Sequence, residues 1–491
     1  MDFEDPSIPQ TLEKIRNLSD DDTQRYYHNL IPIEHAPSPQ FWQTLGDDDS
    51  ILARRLILLA CVASKFTLIP YEFQLTASLA TIKGQDSLVD VGTGYGKTWC
   101  MILPALYRPS RISLVVSPLK RLQVVQVGTF EKYGIRAVAI NEDTPGDPEL
   151  WKRIKSGYYS VLIVQPEQLG TSHNGHRAQL CQLLSDNRAF ISLVQCVHID
   201  EAHTIFTAGI DLYGIAAFRP AWGQLGKLRV IIGKQVPVQA LSGTQPPHIR
   251  RKIISSLMMD EPWLRSVTLS SNRENLVYAT HGIIGQRSDF RNLGFLVPDG
   301  YDGSYQLPKG IVFHDDKREV ASAAIFIDSR LPKSMRGKGV VQHYHGTMSK
   351  LFLECVYNDF GDPNSTCRIL HATSGASTGL DIPGIKYVVQ YGVTQDIPLL
   401  LQRGGHAGRG TRDTAVFLIM YEGWVLKTDI HAVGGDIALD PDHPLADKLG
   451  VNASKEDRTG WAMLHVIQSA SCLHSLFADY LNDKSIRGMF I

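Results

Sequence analysis

Five short, almost uninterrupted apolar runs constrain this chain more than any other feature: SLVDV (87–91), ISLVVS (112–117), SVLIV (160–164), VQCVHI (194–199) and PVQALS (237–242). Each is bounded by turn residues, and the gap to the next leaves room for a helix. Strands apolar on both faces belong to parallel sheets covered on both sides by crossover helices. A second series follows after Asn275: GIVFH (310–314), GVVQHY (339–344), CRILHA (from Cys367), KYVVQY (386–391) and TAVFLIM (414–420). The irregular, Gly-rich stretch from Gly282 to Gly310 reads as a linker. The expected fold is therefore α/β, with two parallel-sheet units over residues 65–274 and 275–425. A helical N-terminal extension (1–64) and a C-terminal tail (426–491) with helical spacing near its end flank them. At 491 residues the chain is long enough for two or three cores.

Composition excludes several function classes. Basic and acidic residues nearly cancel, for a net charge of −1, so any nucleic-acid contact must come from local patches and backbone amides. The seven cysteines lie far apart without a C-x-x-C pair, which disfavours a disulfide framework and a four-ligand zinc site. The N-terminus, MDFEDPSIPQ, is too acidic and polar for a secretory signal. The apolar run Leu56–Ala63 is too short to cross a bilayer. An intracellular, reducing setting without a membrane partner is expected.

Chemistry concentrates at VGTGYGKT (91–98), where a strand feeds a glycine-rich turn and a helix follows. Backbone N–H groups and a helix N-terminus converge on phosphates in such a turn. Lys97 then reaches the β- and γ-phosphates of ATP, and the Thr98 hydroxyl ligates Mg²⁺. Val91 stands where the general pattern has its first glycine. DEAH (200–203) follows the strand VQCVHI directly. Asp200 at the strand end can hold Mg²⁺, and Glu201 can orient or deprotonate the attacking water.

With these motifs in this order, the chain resembles superfamily 2 helicases, and among them the RecQ family in its fungal form. The resemblance covers about residues 65–425 and implies two RecA-like domains with the nucleotide between them. It implies that Gln74 of YEFQ reads adenine, while Tyr71 replaces the family's arginine and stacks on the base. It assigns nucleotide contacts to Gly92, Thr93, Gly94, Tyr95, Gly96, Gly379, Asp381 and Gln402. VVSPLKRLQVVQV (115–127) resembles the segment that lays Ser117 and Pro118 along DNA, and QPEQL (165–169) a further strand contact. SGT (242–244) matches the motif that couples hydrolysis to the contact between domains. FRPAWGQLGKLR (218–229) is the most RecQ-like stretch. It implies a loop that senses single-stranded DNA through Phe206, Tyr213, Phe218, Arg219 and Trp222, since bases stack on aromatic faces.

In the second unit YHGTMS (344–349) and TSGASTGLDIPG (373–384) resemble strand-contacting and ATP-coupling motifs. QRGGHAGRG (402–410) resembles the family's final motif, with Arg409 as arginine finger and His406 where the family has its other arginine. Arginine there should fit and raise the rate. Around Cys472 the tail resembles the start of the family's zinc-binding segment, but the remaining ligands are missing, so no zinc is expected. The implied function is an ATP- and Mg²⁺-dependent 3′→5′ helicase on single-stranded or partly duplex DNA, in the nucleus. RNA is less favoured, because the FRPAW segment speaks for DNA. Two rivals remain open: an ATPase that remodels without unwinding, and a weakened ATP- and DNA-binding module.

Overall fold

The computed structural model describes residues 7–485, apart from 93, 171–176, 271, 374, 376–381, 411–412, 433–435, 447 and 451. Its frame is a pair of wholly parallel sheets. The first contains β1 (Ser87–Asp90), β2 (Ile112–Val116), β3 (Ala137–Ile140), β4 (Val161–Val164), β5 (Val194–Asp200), β6 (Val238–Ser242) and β7 (Arg265–Thr268), in the order β3-β4-β2-β5-β6-β1-β7. The second contains β8 (Leu276–Gly282), β9 (Gly310–Phe313), β10 (Val341–Tyr344), β11 (Ile369–Ala372), β12 (Tyr387–Tyr391) and β13 (Ala415–Tyr421), in the order β10-β11-β9-β12-β13-β8. The two-unit α/β expectation holds. β3, β7 and β8, all edge strands, escape the sequence reading, whereas the fourth edge strand, β10, is legible as GVVQHY. In β7 and β8 exposed residues interrupt the apolar run; β7 buries only Val267 well, and β8 only Leu276.

One feature corrects the expected organisation. The Gly282–Gly310 stretch is not a linker between units. It carries short 3₁₀ turns, and Phe290, Leu293, Leu296 and Val297 pack with Val312 and Ile327 on one face of the second sheet. The chain crosses between sheets earlier, between β7 and β8. The N-terminal extension is helical and packed: Leu12, Ile15, Tyr27 and Phe41 join Leu56–Leu59 and Leu103 in one apolar cluster against the first sheet. The apolar run Leu56–Ala63 lies in the helix Asp47–Ala63 and is buried. Among the described residues no helix is long and apolar enough to cross a membrane.

The tail packs as well. Its helices Trp461–Gln468 and Leu473–Leu481 place Met463, Leu464, Val466 and Phe477 in the core of the second sheet. The loops at the carboxyl ends of the parallel strands, where ligands of open α/β sheets bind, carry VGTGYGKT after β1, DEAH from the end of β5 and SGT from the end of β6.

Candidate nucleotide cleft and nucleic-acid loop

The loop after β1 folds around its own lysine. Lys97 Nζ donates to the carbonyls of Val91 (2.8 Å) and Gly92 (3.1 Å), a poised position for a cation whose anion arrives from outside. Gly94 and Gly96 have φ of +87° and +79°, which side chains adopt only with strain. At Gly96 a Cβ would also lie 3.0 Å from Gln74 Nε2. That approach is functional in shape: Gln74 is buried, and its Nε2 donates to the Gly96 carbonyl at 2.9 Å while its Oε1 accepts from the Tyr71 N–H at 2.9 Å. The expected adenine reader is thus bolted to the phosphate loop. Tyr71 is 65% exposed, stacks on Phe73, and with Tyr95 lines a cavity of about 860 Å³ whose far wall is Glu34–Pro37 of the N-terminal segment. Nothing in the sequence marks that wall. Thr98 is half-buried where the helix Trp99–Tyr107 begins.

At the end of β5 the two acids behave differently. Burial, then the neighbouring charge of Glu201, pushes the Asp200 carboxyl up to about 6. The Glu201 N–H (3.1 Å), Gln126 Nε2 (2.8 Å) and the Lys97 charge pull the other way. A buried carboxylate crowded by another acid suits a divalent cation, which would neutralise both. Asp200 and Thr98 would hold Mg²⁺, and the ion would supply charge to the β- and γ-phosphates. Glu201 sits at φ +52°, a strained backbone for a non-glycine residue and the kind found at functional sites. His203 Nδ1 lies 3.3 Å from Glu201 Oε2 and 2.8 Å from Ser242 Oγ, which also accepts the Thr244 N–H at 3.2 Å. Burial, with help from Lys97, holds His203 down at about 4, so it is neutral at pH 7. DEAH and SGT are therefore joined through one imidazole.

The second unit completes the cleft. Gly92, Glu201 and Thr244 line one small cavity together with Gln402, Gly405 and Arg273. Its volume of about 50 Å³ admits a water or two rather than a triphosphate, so nucleotide entry must widen it. Arg409 is half-buried, with its Nε donating to the Gly405 carbonyl at 2.7 Å. Arg403 is 1% exposed, donates to Asp315 and Gln390, and stands over the Phe313 ring; it is a core residue. His406 corrects an expectation. It is also buried, with its ring tilted on Phe313, so an arginine placed there would be buried next to the Arg403 cation. Thr93, Gly379 and Asp381 lie outside the described residues.

The expected DNA-contacting residues do not form one surface. Trp222 is fully buried among Ile205, Leu225 and Ile249, a core residue rather than a stacking platform. Ser117 and Pro118 are buried too, because they close the end of central strand β2; neither side chain offers DNA a surface here. Arg219 spans the three resembling segments, donating to Glu167 (3.0 and 2.7 Å) and to the Pro118 carbonyl (2.6 Å). It is a clasp between motifs. Phe206 is half-buried and edge-on to His248, whereas Phe218 is 84% exposed. Tyr213 is held by the tail: its hydroxyl donates to Asp440 at 2.6 Å, its carbonyl accepts the Leu449 N–H at 2.7 Å, and its ring meets His443.

The tail also reaches the cleft, which the sequence reading missed. Asp442 is buried between His248 Nε2 (3.0 Å) and the Tyr480 hydroxyl, and His474 Nδ1 lies 2.7 Å from Asn272 Oδ1. His474 and Phe477 share the cavity lined by Glu201 and Gln402. Cys472 is the exposed residue that opens the tail helix, and His465 is stacked on Trp461. Among the described residues no three His, Cys, Asp or Glu side chains gather as a metal site.

Comparison with known proteins follows the same division. Residues 71–253 match the DEAD/DEAH box helicase family, and residues 304–411 the helicase conserved C-terminal domain. ATP-dependent DNA helicase RecQ of Haemophilus influenzae is 29% identical over 338 residues, 67% of this chain and 48% of that protein. ATP-dependent helicase wrn-1 of Caenorhabditis elegans is 30% identical over 331 residues, 66% of this chain and 28% of that protein. The chain thus spans about half the length of these relatives, or less. The DUF1998 helicase MrfA, solved bound to DNA, shares the fold with a TM-score of 0.60 at 16% identity, covering 80% of this chain and 52% of that one. The two matched domains and the RecQ relatives together make this chain a RecQ-like superfamily 2 helicase core.

Proposed function

We propose that the chain is an ATP-driven DNA translocase that moves 3′→5′ along single-stranded DNA. The observation that carries this reading is the shared cavity. Gly92 of the phosphate loop, Glu201 of DEAH and Gly405 beside Arg409 face one space from opposite sheets. A triphosphate there would draw the two units together, and loss of its γ-phosphate would release them. Lys97 and Arg409 would neutralise the spread charge of the transferring phosphoryl group, Glu201 would orient the attacking water, and Gln74 and Tyr71 would seat the adenine. The DNA assignment rests on similarity to RecQ proteins named as DNA helicases.

The tail ties on Tyr213 favour a second reading, an ATPase that remodels DNA without separating strands, since they restrain the loop expected to sense the strand. Steady-state ATP hydrolysis with no polymer, with single-stranded DNA and with RNA, paired with strand displacement on 3′- and 5′-tailed duplexes, tests both. The first reading expects stimulation by DNA, weakening as salt releases the phosphate counterions, and displacement only on the 3′-tailed duplex. Stimulation without displacement selects the second reading. Equal stimulation by RNA sinks the DNA assignment.

A further inference from the structure

The cleft contains a cation that neither the motif pattern nor the family matches assign. Arg273 lies in the crossing between β7 and β8, the short segment that joins the two sheets. Its guanidinium grips the loop of the final motif: Nη2 donates to the Gly408 carbonyl at 2.9 Å, and Nη1 faces the Gly405 carbonyl at 3.3 Å. The same Gly405 carbonyl accepts from Arg409 Nε at 2.7 Å, so two guanidinium groups converge on one backbone oxygen. Gly408 has a φ of +61°, and a Cβ there would stand 2.9 Å from Asn275 Nδ2, 3.0 Å from Ala415 Cβ and 3.4 Å from Arg273 Nη2. Asn275 Nδ2 also donates to the Gly408 carbonyl at 3.2 Å, so Arg273 and Asn275 hold the loop together. Arg273 also lines the cavity shared by Gly92 and Glu201.

We propose that Arg273 is the positioning residue of the arginine-finger loop and brings to the γ-phosphate side of the cleft the positive charge that position 406 does not supply. The proposal rests on the nucleotide-cleft reading above. His406 does not face that side of the cleft: it is buried on Phe313 and does not line the shared cavity. Like charges held together cost free energy unless an anion lies between them. Burial lowers the Arg273 pKa, and the Arg409 charge adds to the lowering. Gly92 belongs to the phosphate loop and lines the same cavity, so Arg273 faces both walls of the cleft. A triphosphate would relieve the repulsion between the two arginines, whereas a diphosphate, lacking the γ-group, would relieve less of it. Because Arg273 is in the segment that joins the two sheets, its grip also ties that segment to the finger loop.

The test is binding, so that it does not depend on turnover. Dissociation constants for Mg²⁺–ADP and for a non-hydrolysable Mg²⁺–ATP analogue would be measured for wild type, Arg273→Ala, Arg273→Gln, Arg273→Lys and Lys97→Ala. Thermal unfolding would check each fold. Arg273→Ala and Arg273→Gln are expected to weaken the analogue by about tenfold or more, the loss of one charge-assisted contact, while ADP affinity stays within about twofold. Arg273→Lys should recover part of the preference, since it keeps the charge but not the two-pronged grip. Lys97→Ala should weaken both nucleotides. Arg273→Gln carries the test if Arg273→Ala does not fold. An unchanged analogue-to-ADP ratio in the neutral variants would overturn the proposal, and so would equal loss of both ligands. A wild type that binds neither nucleotide would overturn the nucleotide-cleft reading itself, and this inference with it.

Discussion

The nucleotide cleft and the aromatic-rich loop carry resemblances of similar kind, yet they are built on different physics. In the cleft the working groups are backbone amides, strand-end carboxylates and a lysine in the turn after a buried strand. Their positions follow from local geometry, since a strand, a turn with positive φ and a helix start place them within a few residues of one another. In the loop the working groups would be aromatic side chains, and whether such a ring faces solvent or core depends on what packs over it. Trp222 went into the core, Phe218 stayed in solvent, and Tyr213 was claimed by a tail more than two hundred residues away. Motifs that act through backbone transfer between relatives more safely than motifs that act through side-chain faces.

Lys97→Ala is the sharpest cut on the cleft side of that comparison. Lys97 is half-buried and bonded only to carbonyls of its own loop, so the variant should fold with little change in unfolding temperature. ATP hydrolysis should fall by about a hundredfold or more. Retained hydrolysis would remove the phosphate loop from the mechanism.

On the loop side, two aromatic truncations should separate. Trp222→Ala should cost about 3–5 kcal/mol of stability, the range for a buried large aromatic, because Trp222 is fully enclosed. Phe218→Ala should leave stability within about 0.5 kcal/mol and instead lower the stimulation of ATPase by single-stranded DNA. Chemical denaturation and DNA-titrated ATPase read the two effects. Similar stability in both variants would mean that the loop does not divide into core and surface as described.

Asp200→Asn sharpens the cleft side through pH. The folded-state pKa of Asp200 is pushed up to about 6 from an ordinary 3.8, so in this window the folded state binds more protons than the unfolded one. Stability therefore falls as pH rises from about 4 to about 6, and the full cost of the buried charge is present above that. Asparagine removes the cost. Gln126 can accommodate it by turning its amide, because its buried Oε1 has no partner. The variant should be more stable than wild type at pH 8, by on the order of 2 kcal/mol, near wild type at pH 4, and inactive in hydrolysis. A stability gap that does not widen with pH would contradict the burial argument.

How much of this was legible beforehand follows the same line. The interior strands announced themselves by continuous apolar runs, and the glycine-rich turn and DEAH by their attachment to two of those strands. Edge strands β7 and β8 did not, since their exposed residues interrupt the run, and neither did β3, only four residues long. Arg273 carried no signal, because its role depends on carbonyls more than a hundred residues away. His406 was visible as a departure from the pattern, but its burial was not, since the ring it rests on, Phe313, comes from β9. The tail looked like the opening of another module because helical spacing reports an apolar face without naming what that face will cover. Here it covers the second sheet and the rim of the cleft.

The smallest effect tests where the two regions meet. Tyr213→Phe deletes the hydroxyl that donates to Asp440 and leaves the ring against His443. A hydrogen bond to a carboxylate contributes about 1.5–3 kcal/mol when buried. Asp440 is partly solvated, so roughly 1 kcal/mol of tail docking is the realistic loss. About 1.4 kcal/mol is a tenfold change in a two-state ratio, so the fraction of molecules with the tail lifted should rise by about fivefold. Backbone amides from Asp436 to Leu449 should then exchange hydrogen faster, with the Leu449 N–H, which donates to the Tyr213 carbonyl, among them. The core around Trp222 should be untouched. If the tail restrains the DNA-sensing loop, half-maximal ATPase stimulation should come at a lower concentration of single-stranded DNA, while ATP affinity without DNA stays constant because Tyr213 lines neither the cavity of Tyr71 and Tyr95 nor that of Gly92 and Glu201. Faster exchange with unchanged DNA response would leave the tail as packing and free the loop from its influence; unchanged exchange would mean that the Asp440 contact holds nothing in place.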